Sequence, residues 1–86
     1  MTHRRVTIGV PDGVHARPVA QLARLAQQHT TPVTLTTASG EEVDVSSVLA
    51  LMDLGLNPGD TVTLRAEGSD ADDLLDALSA VLAPRH

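Results

Sequence analysis

Val6, Ile8 and Val10 alternate with Thr7 and Gly9, the period of a half-buried strand, and Pro11-Asp12-Gly13 then stops the run. From Pro18 the period changes. Val19, Leu22, Leu25 and Ala26 recur at three- and four-residue spacing, with Gln21, Arg24, Gln27 and Gln28 on the other side. This predicts a helix with Pro18 in its first turn, where a missing N–H costs nothing, ended by Thr30-Thr31-Pro32. Val33, Leu35 and Thr37 alternate with Thr34 and Thr36 up to a turn at Ala38-Ser39-Gly40, and Val43 and Val45 continue beyond it, so a hairpin is expected. Ser46-Ser47 supplies a cap for a short, strongly apolar helix carrying Val48, Leu49, Leu51, Met52 and Leu54, which Gly55 ends. After the turn Asn57-Pro58-Gly59-Asp60, Val62, Leu64 and Ala66 alternate with Thr61, Thr63 and Arg65 as a fourth strand closed by Gly68. A last helix follows, with Ser69 or Asp70 as cap, acidic residues in its first turn, an apolar stripe of Ala71, Leu74, Leu75, Leu78 and Leu82, and Pro84 as its stop. The order β-α-β-β-α-β-α predicts an α+β fold, an antiparallel sheet with the helices on one face.

The 86 residues suffice for one small domain, residues 1–86, without repeats or linkers. There is no cysteine, which excludes a disulfide scaffold and leaves apolar burial as the main source of stability. Eleven Asp and Glu against six arginines give a net charge of −5, and there is no aromatic side chain. Such a surface repels a phosphate backbone and has no platform for stacking bases, so nucleic-acid binding is not expected. The N-terminal segment is too poor in apolar residues for a signal peptide, and no apolar run reaches membrane length. A cytoplasmic protein with no membrane insertion is expected.

Histidines stand at positions 3, 15, 29 and 86, without metal-ligand spacing among themselves or with carboxylates, so no metal and no cofactor are expected. A Gly-x-Ser-x-Gly elbow and a Lys-bearing phosphate loop are both absent. What remains is Asp12-Gly13-Val14-His15-Ala16-Arg17-Pro18, which sets a histidine between a strand-ending turn and a helix start. Unpaired amides and the positive end of the helix dipole favour an anion there, and Arg17 adds a planar fork of donors. A neutral imidazole nitrogen can accept a phosphoryl group and return it, so His15 suits a phosphoryl acceptor. A surface histidine that merely adjoins a helix start, with an Arg-Pro pair setting the entry angle, fits the same residues. Ser47 likewise reads as a helix cap or as a modification site. The short helix has more apolar residues than one side can bury, so either it is covered almost all round or part of it, including the adaptable Met52, is a docking surface.

Gly13-Val14-His15-Ala16-Arg17-Pro18, the Ser47-Val48-Leu49 segment running into Met52-Asp53-Leu54-Gly55-Leu56, and Ala66-Glu67-Gly68 together resemble the HPr family of phosphocarriers, over nearly the whole chain. The resemblance implies an open-faced β-sandwich with a four-stranded sheet, and a phosphoryl group relayed from enzyme I, charged by phosphoenolpyruvate, to the IIA domains of sugar permeases. It implies a carrier that is not itself an enzyme. It places the phosphohistidine on His15 Nδ1 and phosphate stabilisation on Arg17. Partner contacts are implied for Ala16, Ala20, Arg24, Val48, Leu49 and Met52, and regulatory phosphorylation for Ser47, although the chain has Ser46 before it and no Lys there. Gln27 stands where many relatives carry a cation. A monomer is expected. The competing reading is a regulatory or interaction module of the same fold, including the nitrogen-related branch of the phosphotransferase system, with no role in sugar uptake; Arg17 favours the carrier, because a docking module needs no cation beside its histidine.

Overall fold

The structure, a computed structural model, describes residues 2–10 and 16–84. Its elements are β1 (Thr2–Thr7), α1 (Ala16–Gln27), β2 (Thr34–Thr37), β3 (Glu42–Asp44), α2 (Val48–Asp53), β4 (Thr61–Ala66) and α3 (Ala71–Leu82). The strands form one antiparallel sheet in the order β1-β4-β2-β3, and the three helices cover one face of it. This is the open-faced architecture expected from the alternating strands and amphipathic helices.

Strand alternation divides the sheet into an inner and an outer face. Val6, Leu35, Val62, Leu64 and Ala66 are buried against the helices together with Ile8, Val33 and Val45. Thr34, Thr36, Thr61, Thr63 and Arg65 lie at the alternate positions, on the face the helices leave open. α3 packs across β1 and β4 and against α1, which in turn meets α2. Val19, Leu22, Ala23 and Ala26 form the buried stripe of α1, and Ala71, Leu75, Leu78 and Leu82 that of α3, while Leu74 is only half-buried.

The first strand starts earlier than the expected Val6 to Val10 run. It is paired from Thr2↔Ala66 to Thr7↔Thr61, and its inward series is Thr2, Arg4 and Val6. Arg4 lies on the helix side because its guanidinium escapes to the rim, where it meets Asp76 and, at 4.0 Å, Asp72 of α3. The helix predicted from Pro18 begins at Ala16, so Pro18 is its third residue and still within the turn whose N–H groups need no intrahelical partner. In the hairpin β3 ends at Asp44, with Val45 N–H continuing the pairing to Val33 O at 2.9 Å.

α2 ends at Leu54 and Gly55, and Gly55 has φ +59°, a left-handed conformation that suits a residue without Cβ. Asp70 occupies the N-cap position of α3 but its side chain makes no capping hydrogen bond. Instead its Oδ2 lies 3.5 Å from Nδ1 of His29, whose Nε2 is 2.7 Å from the Glu67 carbonyl oxygen. The imidazole is almost fully covered at this junction of the α1 and α3 ends, and Gly68 nearby has φ +110°, a left-handed conformation that suits a residue without Cβ.

Candidate functional site

His15, the expected phosphoryl acceptor, lies outside the described residues, as do Gly13 and Val14 of its motif. The site is therefore defined by what surrounds that position, beginning with α1, whose first residue follows His15 directly. Ala16 and Arg17 are exposed, and the first turn of α1 contains no carboxylate. Arg17 forms no ion pair among the described residues. A cation in the first turn adds to the positive end of the helix dipole, an arrangement that is unfavourable until an anion arrives.

Ala20, Arg24 and Gln27 continue along one exposed stripe of α1 at four- and three-residue spacing. Gln27 Nε2 donates to Ser46 O at 3.0 Å, which ties the end of that stripe to the residues leading into α2. Arg24, like Arg17, has no carboxylate partner among the described residues. Ala20 and Arg24 are thus brought to the side of α1 that adjoins α2.

The local sequence also explains why α2 starts where it does. Ser47 has an extended backbone, and its Oγ accepts from Ala50 N at 3.2 Å, the N-cap geometry expected of it. Just before it, Asp44 Oδ1 accepts from both the hydroxyl and the backbone N–H of Ser46, at 2.6 and 2.9 Å. These two bonds hold the Asp44 carboxyl below the usual carboxylate range against a small opposing effect of burial. Ser46 and Ser47 are both committed to holding the turn.

Of the five apolar residues counted in this helix, Leu51 is buried and Leu54 half-buried, whereas Val48, Leu49 and Met52 are 45%, 74% and 43% exposed. The crowding expected from the sequence resolves as an apolar surface rather than burial all round. It is a short helix presenting three large apolar side chains beside a helix with two arginines that have no carboxylate partner among the described residues. That combination suits a partner with an apolar contact and a negative group. The sequence did not signal the Gln27 bridge, because a side chain reaching a backbone carbonyl of a distant loop leaves no periodic trace. Among the described residues there is no cluster of His, Asp or Glu arranged to hold a metal, and no helix is long and apolar enough to cross a membrane.

Comparison with known proteins gives the site a context. The family model described as "PTS HPr component phosphorylation site" matches residues 2–83. The phosphocarrier protein HPr of Mycoplasma pneumoniae is 37% identical over 78 residues, covering 91% of this chain and 89% of that protein. The crystal structure of a phosphocarrier protein HPr from Bacillus anthracis superposes with a TM-score of 0.84 at 30% identity, covering 94% of this chain and 95% of that one. An HPr dimer from Thermoanaerobacter tengcongensis is similar at a TM-score of 0.65 and 32% identity, over 85% of each chain.

Proposed function

The chain belongs to the HPr family of phosphocarriers of the phosphotransferase system, and from that premise we propose that it relays a phosphoryl group on His15 from enzyme I to IIA domains. The observation that carries the reading is Arg17, an exposed cation without a carboxylate partner among the described residues, two positions after His15 in the first turn of α1.

In the charging step the unprotonated Nδ1 of His15 attacks the phosphorus, a P–N bond forms as the bond to the donor breaks, and the proton stays on the other ring nitrogen. The phosphoryl oxygens then lie against the start of α1, where backbone amides and the Arg17 fork supply donors. Discharge reverses the step, with the acceptor's nucleophile breaking the P–N bond. The protein's part is positioning and electrostatic stabilisation, as is general for phosphoryl transfer, and it turns over no small molecule alone. Val48, Leu49 and Met52, with Ala16, Ala20 and Arg24, form the surface on which enzyme I and the IIA domain dock in turn. A carrier that offers one surface to successive partners acts as a monomer, in the cytoplasm where phosphoenolpyruvate charges enzyme I. Ser47 serves as the cap of α2, and its phosphorylation by a kinase is a subsidiary proposal, since a phosphate there would exchange the Ala50 hydrogen bond for an anion at the same helix end.

The test is incubation with the host's enzyme I and phosphoenolpyruvate, followed by mass spectrometry and acid treatment. An acid-labile, base-stable phosphate is expected on the wild type and none on His15→Ala, with both proteins equally folded by circular dichroism. Labelling that persists in the variant overturns the assignment.

A further inference from the structure

Outside this site, β1 is an edge strand whose outward groups can be read from its pairing. Ile8 N–H donates to Asp60 O at 2.7 Å, and Ile8 O accepts from Gly59 N at 2.8 Å, so the backbone of Ile8 faces β4. Backbone direction alternates along an antiparallel strand. In the register Thr2↔Ala66 to Thr7↔Thr61, the groups of Thr2, Arg4 and Val6 therefore also face β4, and those of His3, Arg5 and Thr7 face outward. The next outward residue, Gly9, donates to Leu82 O at 2.8 Å. The open edge thus runs from His3 to Thr7.

Those residues also carry the exposed side chains of the strand, on the face without helices. His3 and Arg5 have no carboxylate within 4.0 Å among the described residues, in a chain with eleven Asp and Glu. Their neighbours differ. Arg4, facing the other way, meets Asp72 and Asp76, and Arg65 meets Glu42 at 3.5 Å. The opposite edge, β3, is blunted, because it has three residues and Asp44 O is taken by Ser47 N at 3.0 Å. β1 has six residues, unbroken pairing and no proline.

We propose that the outer edge of β1 is a docking site for an extended acidic segment of a partner protein, added to the sheet as a fifth strand. Carboxylates at alternate positions of such a segment meet His3 and Arg5 on the open face while its backbone meets the outward groups of His3, Arg5 and Thr7. The same charges disfavour a second copy, since antiparallel pairing of two β1 edges brings arginine against arginine. The inference is independent of the reading of His15.

The experiment titrates the full-length, 15N-labelled chain with a synthetic peptide of alternating glutamate and valine, blocked at both ends. Amide shifts confined to β1, largest at His3, Arg5 and Thr7, are expected. Arg5→Pro removes an outward N–H and leaves the β1–β4 ladder intact, so it should fold and weaken binding by about tenfold. Arg5→Glu, which keeps the N–H, should switch the preference to a lysine-valine peptide. The proposal is overturned by an absence of shifts at millimolar peptide, by shifts centred on the helices, or by wild-type binding in both variants. It is equally overturned if the same amides shift on concentrating the protein alone, which would make a second copy the occupant.

Discussion

At the start of α3, Asp72 and Asp73 stand in the first turn, where carboxylates offset the positive end of the helix dipole, and Asp70 at the cap faces His29. At the start of α1 the first turn has no carboxylate and carries Arg17. Both helices are twelve residues long and both bury one apolar stripe, so packing does not account for the contrast. One end is neutralised by its own side chains and serves the fold. The other carries positive charge that no carboxylate among the described residues offsets, and His15, the proposed acceptor, precedes it. On the function proposed above, the difference separates residues that stabilise this molecule from residues that prepare it for a ligand.

The comparison presupposes that both helices stay docked, and the largest effect comes from breaking that condition. Leu78→Asp places a charge on the buried stripe of α3 and should cost about 4 kcal/mol or more, unfolding the domain, as thermal melting by circular dichroism would show. Next comes the reactive end. Arg17→Ala should slow phosphoryl transfer about 10- to 100-fold in both directions, read by rapid quench with enzyme I, while the melting temperature holds or rises. Arg17→Lys should recover part of that rate, since the charge returns without the fork. A transfer rate unchanged in the alanine variant would reduce Arg17 to a structural role.

A fourth variant tests whether α2 belongs with the reactive side. Leu49→Asp should weaken enzyme I binding by about 2 kcal/mol in calorimetry with little change in melting, because the side chain is 74% exposed. A melting loss comparable to that of Leu78→Asp would show α2 to be core. The smallest effect belongs to the neutralised end. Asp73→Asn should lower stability by about 0.3–1 kcal/mol in urea unfolding and leave transfer untouched, the mirror image of Arg17→Ala.

Much of the fold was legible because its periods are regular. Thr34-Leu35-Thr36 and Thr61 to Ala66 announce strands, and the leucines of α3 announce a helix, each by a pattern that burial then follows. The start of β1 was hidden because Arg4 reads as polar, although it occupies an inward position and sends only its charged end to α3. Of the two expected caps of α3, Asp70 takes the N-cap position, but its side chain turns from the helix amides for a related reason. Its neighbour His29 comes from the far end of α1, and a contact between residues so distant in sequence has no local signature. At the site, Ser47 as a cap followed from spacing alone, whereas crowding left α2 either covered all round or partly exposed, and the burial of Leu51 alone among its apolar residues decides for exposure. The role proposed for His15 did not, since helix-start chemistry fits a bystander histidine as well as an acceptor, and the proposal leans on the resemblance of the whole motif and on Arg17.

The pairing of β1 with β4 also sets a clock. Thr7 and Thr61 lie 54 residues apart in the chain, yet their hydroxyls are 3.5 Å apart in the sheet. At a synthesis rate of about 5–20 residues per second, the first strand waits roughly 3 to 11 s for its neighbour to be made. Throughout that interval Val6 and Ile8 have no sheet to enter, and the nearby charges of Arg4 and Arg5 oppose pairing of the nascent strand with another like it. A ribosome-bound chain ending before Thr61 should therefore remain sensitive to protease along its exposed length, and become resistant only once β4 and α3, which covers β1 and β4, have both emerged from the ribosome.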